Sequence, residues 1–349
     1  ERIRLNVVNV GGEFGGKGDA LDLPIAYFLA RQSRRPVKIV LTYIEELTAG
    51  NPAHPTVVTV RSGLKRDGCI VARNLCMVHA SGGYGALKPS AALATWHEVG
   101  GPYRVDNAAS EFLQIYTNTV PGGYFRSPGS VAMFFALESH TDLIAREVGM
   151  DPAEFRLKNF LGEGEEDSIG KRLRSVRFRE VLQGALDGAG WGKRKRGPGY
   201  GRGIGLFGRH IGGGDTGLTL TAEPNGTFTV ISPTFDQGAG THTILRQLVA
   251  EEMKVAVQQV RVVVGDTDIA RRDSGARASR VTYVAGRAAL RACEEMRSQL
   301  ATQAARILEC RPEEVEFRNA QFRRRQDPSQ QISLRKVVAR TGHRPSVTI

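Results

Sequence analysis

Four glycine-rich turns constrain the fold of this sequence more than any other feature. Each follows a strand-like stretch and leads into a helical one. They are GGEFGGKGD (11–19), PGGYFRSPGS (121–130), DQGAGTHT (236–243) and GDTDIARRDSGARASRV (265–281). A turn of this kind presents backbone N–H groups at a helix N-terminus, which suits an anionic ligand. Four such turns in one chain predict a long, multiply anionic cofactor that is gripped from several sides.

The first of these turns resembles a nucleotide-binding loop but lacks its metal ligand. Gly11 and the pair Gly16-Lys17 satisfy the pattern G-x-x-x-x-G-K, and the apolar residues 7–10 predict a strand that runs into the turn. A Walker loop needs Ser or Thr next, because that hydroxyl holds Mg²⁺. The next residue here is Gly18, which has no side chain. The sequence therefore disfavours an ATP site.

Hydrophobic periodicity predicts an α+β fold with two domains, residues 1–163 and 181–349, joined by a polar linker at 164–180. The expected elements of the first domain are a helix around 19–34, a strand at 35–43, a hairpin turning at 65–68 and a long amphipathic helix after residue 130. Glu138 and Asp142 on that long helix are interpreted as capping or surface charges.

The second domain restarts with a different element order. We expect a hairpin turning at Pro224-Asn225-Gly226, a helix at 241–253, a strand at 260–266, a helix over about 280–308 and a final strand pair. This order favours α+β over a doubly wound sheet.

The net charge of +12 invites a nucleic-acid interpretation. The basic clusters at 170–180, 192–197 and 323–325 are not interleaved with aromatic residues, so they favour a solvated surface or a subunit contact. No apolar run is long enough to span a bilayer, and we expect neither a membrane nor a nucleic-acid partner.

The four cysteines match no zinc or iron–sulfur spacing, which favours the cytoplasm. Because the chain starts at Glu1 in strand-like sequence, we expect a piece of a larger polypeptide or assembly.

The order of the segments resembles the molybdopterin-binding region of the xanthine dehydrogenase/aldehyde oxidase family. The resemblance covers nearly all of residues 1–310, and two segments are especially specific: YFRSPGS with the helix that follows it, and DSGARASRVTYVAGRA. It implies two consecutive molybdopterin cofactor-binding domains, both incomplete here. The implied cofactor is a molybdenum–molybdopterin, in bacteria commonly the cytosine dinucleotide form. The implied reaction is oxidative hydroxylation, with water, of an aldehyde or (hetero)aromatic carbon in a small-molecule substrate.

The resemblance also assigns cofactor-binding residues. The implied set lies in the four turns and comprises Gly12, Phe14, Gly15, Arg126, Gln237, Gly238, Ala239, Arg277, Ala278, Ser279 and Arg280. Phe14, Arg126 and Arg277 would lie near the molybdenum without ligating it, and Gly18 and Pro128 would face the substrate.

Some positions depart from the family pattern. Glu13 stands where glycine is usual, and Ala239 stands where the family usually has glutamine. Gly18 and Ala94 replace a glutamate and an arginine of purine-oxidising members, which disfavours a purine substrate. The YFRSPGS turn lacks the cysteine of carbon monoxide dehydrogenases, which disfavours that activity.

The resemblance also implies groups outside this chain. The family's general-base glutamate would lie beyond residue 349, so we expect no catalytic residue here and an inactive isolated chain. Implied partners are the rest of the molybdenum subunit, a protein with 2Fe–2S clusters and, in many complexes, an FAD protein. The alternative is a degenerate module that keeps the fold but acts only in binding or assembly.

Overall fold

The structure, a computed structural model, describes residues 4–6, 8–17, 22–50, 52–83, 99–193, 197–208, 211–265, 269 and 272–349. The chain divides into two compact units. The first unit consists of residues 14–209, and the second combines residues 1–13 with 210–349. Each unit is described by itself below.

The first unit is built on a three-stranded sheet. Its strands are β1 (Thr56–Leu64), β2 (Ile70–Ala80) and β3 (Asn107–Ile115), in the order β1-β2-β3. The predicted hairpin is confirmed, because β1 and β2 are antiparallel and joined at residues 65–69. β3 pairs with β2 in parallel, a non-local pairing that the sequence pattern did not indicate.

Three helices follow the strands of this sheet: α3 (Ser130–Glu147), α4 (Pro152–Asn159) and α5 (Phe178–Ala189). α3 packs Met133, Phe134 and Leu137 against Leu75 and Met77 of β2. The predicted long helix after residue 130 is therefore confirmed.

The division into compact units falls elsewhere than at the predicted linker. α5 begins at Phe178 and packs Leu182 and Leu186 into one cluster with Ile70 and Phe155. Residues 181–209 therefore belong to the first compact unit. The linker at 164–180 stays a prediction about the boundary between family domains.

A buried ion cluster fastens α3 to α4. The Arg156 guanidinium is fully buried; its Nε donates to Glu138 at 3.0 Å and its Nη1 donates to Asp142 at 2.6 Å. Tyr103 donates its hydroxyl to Glu138 at 2.8 Å. The interpretation of Glu138 as a surface charge is therefore wrong, because its partner Arg156 lies 18 residues later in the chain and periodicity cannot show it.

Two helices precede the sheet: α1 (Leu23–Ser33) and α2 (Tyr43–Ala49). Neither has a buried residue. The helix predicted around 19–34 is confirmed over the described residues, whereas the strand predicted at 35–43 is wrong. Thr42 and Glu45 form a reciprocal capping box that starts α2, and this S/T-x-x-E signal was present in the sequence.

The second unit contains a four-stranded sheet of β4 (Thr219–Ala222), β5 (Phe228–Ser232), β6 (Val260–Val264) and β10 (Ser346–Thr348). The strand order is β10-β4-β5-β6. The helices α6 (Thr241–Met253) and α7 (Val281–Ile307) share a core with this sheet. The predicted hairpin at 224–226, both helices and the strand from residue 260 are confirmed. Residues 8–10, predicted as a strand, do not form one.

A small sheet completes the second unit. β7 (Val315–Arg318) and β8 (Gln321–Arg324) form the predicted strand pair, and β9 (Gln331–Ser333) extends it. α8 (Leu334–Arg340) follows and buries Leu334, Val337 and Val338. β9, α8 and β10 were not predicted. Within the described part of the chain, every helix is too short or too polar to cross a bilayer.

Candidate cofactor site

The glycine-rich loop of the first unit has a backbone that few side chains permit. Phe14 has φ 52° and Gly15 has φ 105°. A Cβ atom at Gly15 would lie 2.7 Å from the carbonyl oxygen of Tyr124. Position 15 requires glycine for two reasons. Other residues rarely adopt this φ, and any side chain would collide with the Tyr124 backbone. The absent side chain lets two backbone segments meet.

The second turn is joined to this loop through its backbone. The Arg126 N–H donates to the Phe14 carbonyl at 2.6 Å. Arg126 (φ 26°) and Ser127 (φ 58°) are consecutive non-glycine residues with positive φ, and Gly129 (φ 75°) precedes α3. Such conformations cost about 1–3 kcal/mol each and cluster at functional sites. The side chains of Phe14 and Arg126 are both exposed. The glycine-rich loop therefore exposes an aromatic ring, and the turn joined to it exposes a cation.

A buried histidine lies below this turn. His79 is 1% exposed, and burial, with the nearby His54, lowers its pKa to about 4. The unfolded value is about 6.5. The unfolded chain therefore binds more protons between these two values, so acid favours unfolding in that window.

We expect the first unit to lose stability as the pH falls from about 6.5 to 4, by roughly 3 kcal/mol for His79 alone. Amide exchange in β1 and β2 of the full-length protein at several pH values measures this loss. A His79→Gln variant should lose less on acidification, because it removes the titrating ring. Equal pH dependence in both proteins would contradict the assignment.

In the second unit, the loop 234–240 is organised by Asp236. Its Oδ1 accepts the N–H groups of Gly238 at 2.9 Å and Gly240 at 3.2 Å. Burial acts to raise the pKa of Asp236, but these bonds and that from the His242 backbone outweigh it and hold the pKa below its usual value. The His242 ring Nε2 lies 3.2 Å from the Thr234 carbonyl, which gives this histidine a structural partner.

Gln237 is the polar residue of this loop that the protein leaves unsatisfied. Its Oε1 is buried and accepts no hydrogen bond from the described residues. Gly238 (φ 94°) and Ala239 follow it and are exposed. A buried acceptor without a donor costs about 1–3 kcal/mol, so this atom fits a ligand that supplies an N–H group.

A third loop, residues 272–280, is tied together by a buried ion pair. Arg280 is 1% exposed and its Nη1 lies 3.3 Å from Asp273 Oδ2. The guanidinium also donates to the carbonyl oxygens of Gly213, Asp215 and Gly275. The Thr234 hydroxyl reaches Asp273 at 3.3 Å, which links this loop to the one that carries Gln237.

Ala278 (φ 50°) and Ser279 (φ 56°) repeat the strained pair of the first unit. The Ala278 carbonyl accepts the Gly212 N–H at 2.8 Å, and a Cβ at Gly212 would lie 2.6 Å from the Ala278 Cβ. The backbone of the loop is therefore pressed against a glycine, as in the first unit. Arg277 is exposed.

The structure thus groups the predicted residues into clusters within each unit. Phe14, Gly15 and Arg126 come together in the first unit, with Pro128 half-buried beside them in the chain. In the second unit, the loops of Gln237 and of Arg277 are linked through Asp273. Two further predicted residues are placed differently: Gly12 is exposed in the segment 1–13, and Gly18 lies outside the described residues.

Sequence reasoning identified neither the ion pair of Asp273 with Arg280 nor the burial of the Arg280 side chain. The Arg280 side chain is bonded to protein acceptors, and its assignment to the cofactor stays a prediction. The arginine at 277 and that at 280 looked equivalent in the sequence. Only the fold separates the exposed one from the buried one.

The residues present fit a pterin cofactor of the implied type. Within the described part of the chain, no group of three or more His, Cys, Asp or Glu side chains could hold a metal ion. A metal carried by an organic ligand needs no such group. The unsatisfied Gln237 oxygen and the glycine-lined backbone turns are suited to the heterocycle and the anionic groups of that ligand.

The fold is that of solved molybdenum oxidoreductases. Quinoline 2-oxidoreductase from Pseudomonas putida 86 superposes with a TM-score of 0.88 at 21% identity, over 99% of this chain and 49% of that one. The CO dehydrogenase from Oligotropha carboxidovorans gives 0.86 at 21% identity, over 96% of this chain and 46% of that one.

Sequence comparison then fixes the family. The molybdopterin cofactor-binding domain family matches residues 1–160 with one model and residues 179–348 with a second. A probable xanthine dehydrogenase subunit of Bacillus subtilis is 31% identical over 90% of this chain. The chain belongs to the molybdenum-binding subunits of the xanthine dehydrogenase family, as two consecutive cofactor-binding domains. It spans 44% of the Bacillus subtilis relative and 37% of the aldehyde oxidoreductase molybdenum-binding subunit of Escherichia coli, to which it is 32% identical.

Proposed function

We propose that this chain is the cofactor-binding part of a molybdenum hydroxylase that oxidises an aldehyde or (hetero)aromatic carbon with water. The observation that carries the proposal is the buried, unsatisfied Oε1 of Gln237 in a glycine-rich loop. When bound, the molybdenum–molybdopterin would supply the redox chemistry. The cytosine dinucleotide form and a cytoplasmic location belong to the same proposal.

The chain's own residues would bind and orient the cofactor. In the first unit, Phe14 and Arg126 would lie beside the molybdenum, with Arg126 contributing positive charge; Pro128 and Gly18 would face the substrate. In the second unit, Gln237, Gly238 and Ala239 would contact the pterin through an amide oxygen and exposed backbone. Arg277, Ala278, Ser279 and Arg280 would form the strained turn of this unit that contacts the cofactor. The general base would come from outside this chain, as a glutamate beyond residue 349.

An apolar surface in the first unit supports a large partner. α1 and α2 expose Phe28 at 63%, Tyr43 at 80% and Ile44 at 72% of their surface. Large apolar side chains exposed on two successive helices are typical of an interaction site. We assign it to the rest of the molybdenum subunit, because the chain spans less than half of the curated relatives it matches. A 2Fe–2S subunit and an FAD subunit would complete the electron path.

The second candidate is a degenerate binding or assembly module of the same fold. Glu13 and Ala239, which depart from the family pattern, favour it. The resemblance implies a glutamine at position 239, and Ala239 lacks its side-chain amide. Gln237, two residues earlier, carries a side-chain amide. The two candidates differ in whether the native complex holds the metal.

The deciding experiment is the molybdenum and pterin content of the native complex purified through this chain from molybdenum-replete cells. The hydroxylase predicts stoichiometric molybdenum and the release of a cytosine nucleotide on acid treatment. A Gln237→Ala variant should hold several-fold less molybdenum, because the pterin would lose its acceptor, whereas the exposed Gln183→Ala is the matched control. A metal-free native complex would refute the hydroxylase and leave the degenerate module.

A further inference from the structure

Two imidazole rings lie directly under the turn that leads to Arg126. The Nδ1 of His79 is 2.8 Å from the Thr56 hydroxyl, and that hydroxyl donates its hydrogen to the His54 carbonyl at 2.9 Å. The Thr56 oxygen must therefore accept from His79 Nδ1–H. This fixes the His79 tautomer and leaves its Nε2 as a lone-pair acceptor, with no partner among the described residues.

His54 stands between His79 and the turn. The two rings meet edge to face, with centroids 5.6 Å apart and planes at 87°. Burial lowers the pKa of His54, and a hydrogen bond to the Gly123 backbone opposes this.

The His54 ring also lies flat against Gly122. A Cβ at this glycine would be 2.8 Å from His54 Nδ1 and 2.9 Å from Cε1 and Cγ. Gly122 is buried, and its N–H donates to the Ser81 carbonyl at 3.1 Å. The Gly123 N–H donates to the Pro52 carbonyl at 3.0 Å. Ring and backbone therefore fix residues 122 and 123 from both sides.

The fixed turn continues at once into the candidate site. Tyr124 supplies the carbonyl against which Gly15 packs, and Arg126 donates its N–H to Phe14. Because Gly122 and Gly123 directly precede Tyr124 in the chain, a displacement of either glycine must move Tyr124. His54 itself is linked to Gly122 and Gly123 rather than to Phe14 or Arg126.

We propose that His54 is a positioning residue for the Arg126 turn, holding residues 122 and 123 so that Tyr124 and Arg126 meet the glycine-rich loop. Its importance for the cofactor rests on the proposed function, whereas its effect on the turn does not. His79 packs edge to face against this ring, and Thr56 bonds both the His79 ring and the His54 carbonyl. The positioning acts on the backbone, through the face contact between the His54 ring and Gly122.

A double-mutant cycle tests this proposal in the full-length complex. His54→Ala removes the ring, and Gly122→Ala adds a methyl group that collides with the ring. Each single variant should speed amide exchange in a peptide covering residues 121–127 at least tenfold, with exchange in β2 unchanged. The double variant should exchange no faster than His54→Ala alone, because the atoms that the new methyl group strikes are gone.

The matched control is His140→Ala. His140 is also a half-buried histidine of the first unit, and its Nε2 lies 3.0 Å from the Ser62 hydroxyl on β1. It should leave exchange at 121–127 unchanged. In a molybdenum-containing complex, His54→Ala should also release the metal faster on dilution, and His140→Ala should not.

Additive effects in the double variant, or unchanged exchange at 121–127 in His54→Ala, would overturn the proposal. Unchanged metal release in a folded His54→Ala complex would overturn its link to the cofactor. A native complex without molybdenum would refute the proposed function, but the exchange results would still decide the role of His54.

Discussion

Replacing Gly15 with alanine is expected to lower the molybdenum content of the purified complex at least tenfold. The added Cβ would lie 2.7 Å from the Tyr124 carbonyl oxygen, and the residue would have to keep a φ of 105°. That conformation is essentially restricted to glycine and costs an alanine about 1–3 kcal/mol before the clash is counted. A binding loss of about 1.4 kcal/mol is already tenfold. Metal analysis of the complex, with amide exchange to follow the Arg126–Phe14 bond, measures both effects.

Gly205→Ala is the matched control for this variant. A Cβ at Gly205 would meet no described atom within 4 Å, and its φ is not among the positive ones. This control should keep its molybdenum. A folded Gly15→Ala complex with full metal content would show that the loop does not contact the cofactor.

Arg280→Met and Arg277→Met are expected to separate stability from cofactor binding. Arg280→Met leaves Asp273 buried without its counter-charge, and breaking a buried pair in this way costs about 3–5 kcal/mol. Arg277 is exposed, so its variant should keep the unfolding midpoint of the second unit and lose only bound molybdenum. Denaturant titration of the full-length protein, followed by exchange in α7, measures the first effect, and metal analysis measures the second.

The double variant Arg280→Met/Asp273→Asn should recover part of the lost stability, because no unpaired charge remains buried. Equal destabilisation by Arg277→Met and Arg280→Met would contradict the assignment of separate roles. So would an unchanged midpoint for Arg280→Met.

Local signals in the sequence predicted the local elements. The hairpins at 65–68 and 224–226 carry their own turn residues, and α6 spans Thr241–Met253 as its pattern indicated. The capping box at Thr42 and Glu45 was an equally local signal, and overlooking it produced the wrong strand at 35–43. The parallel pairing of β3 with β2 has no local signal, because it depends on contacts far apart in the chain.

The site was predictable only as a set of turns. The motifs located the turns, but not which side chains face outward. The burial of Arg280 depends on Asp273 and on the carbonyls of Gly213 and Asp215, which no spacing rule brings together. The positive φ of Ala278 could not be foreseen either, because alanine gives no sign of that conformation.

The strand arrangement of the first unit occurs again in the second. In each, a hairpin (β1–β2, β4–β5) is joined by a parallel third strand (β3, β6). A turn with two adjacent left-handed non-glycine residues then starts a long helix, at Arg126-Ser127 before α3 and at Ala278-Ser279 before α7. A pair of left-handed non-glycine residues before a long helix is therefore a feature of both units, so the strain stored in these turns is present twice in the chain and at the same place in each strand order.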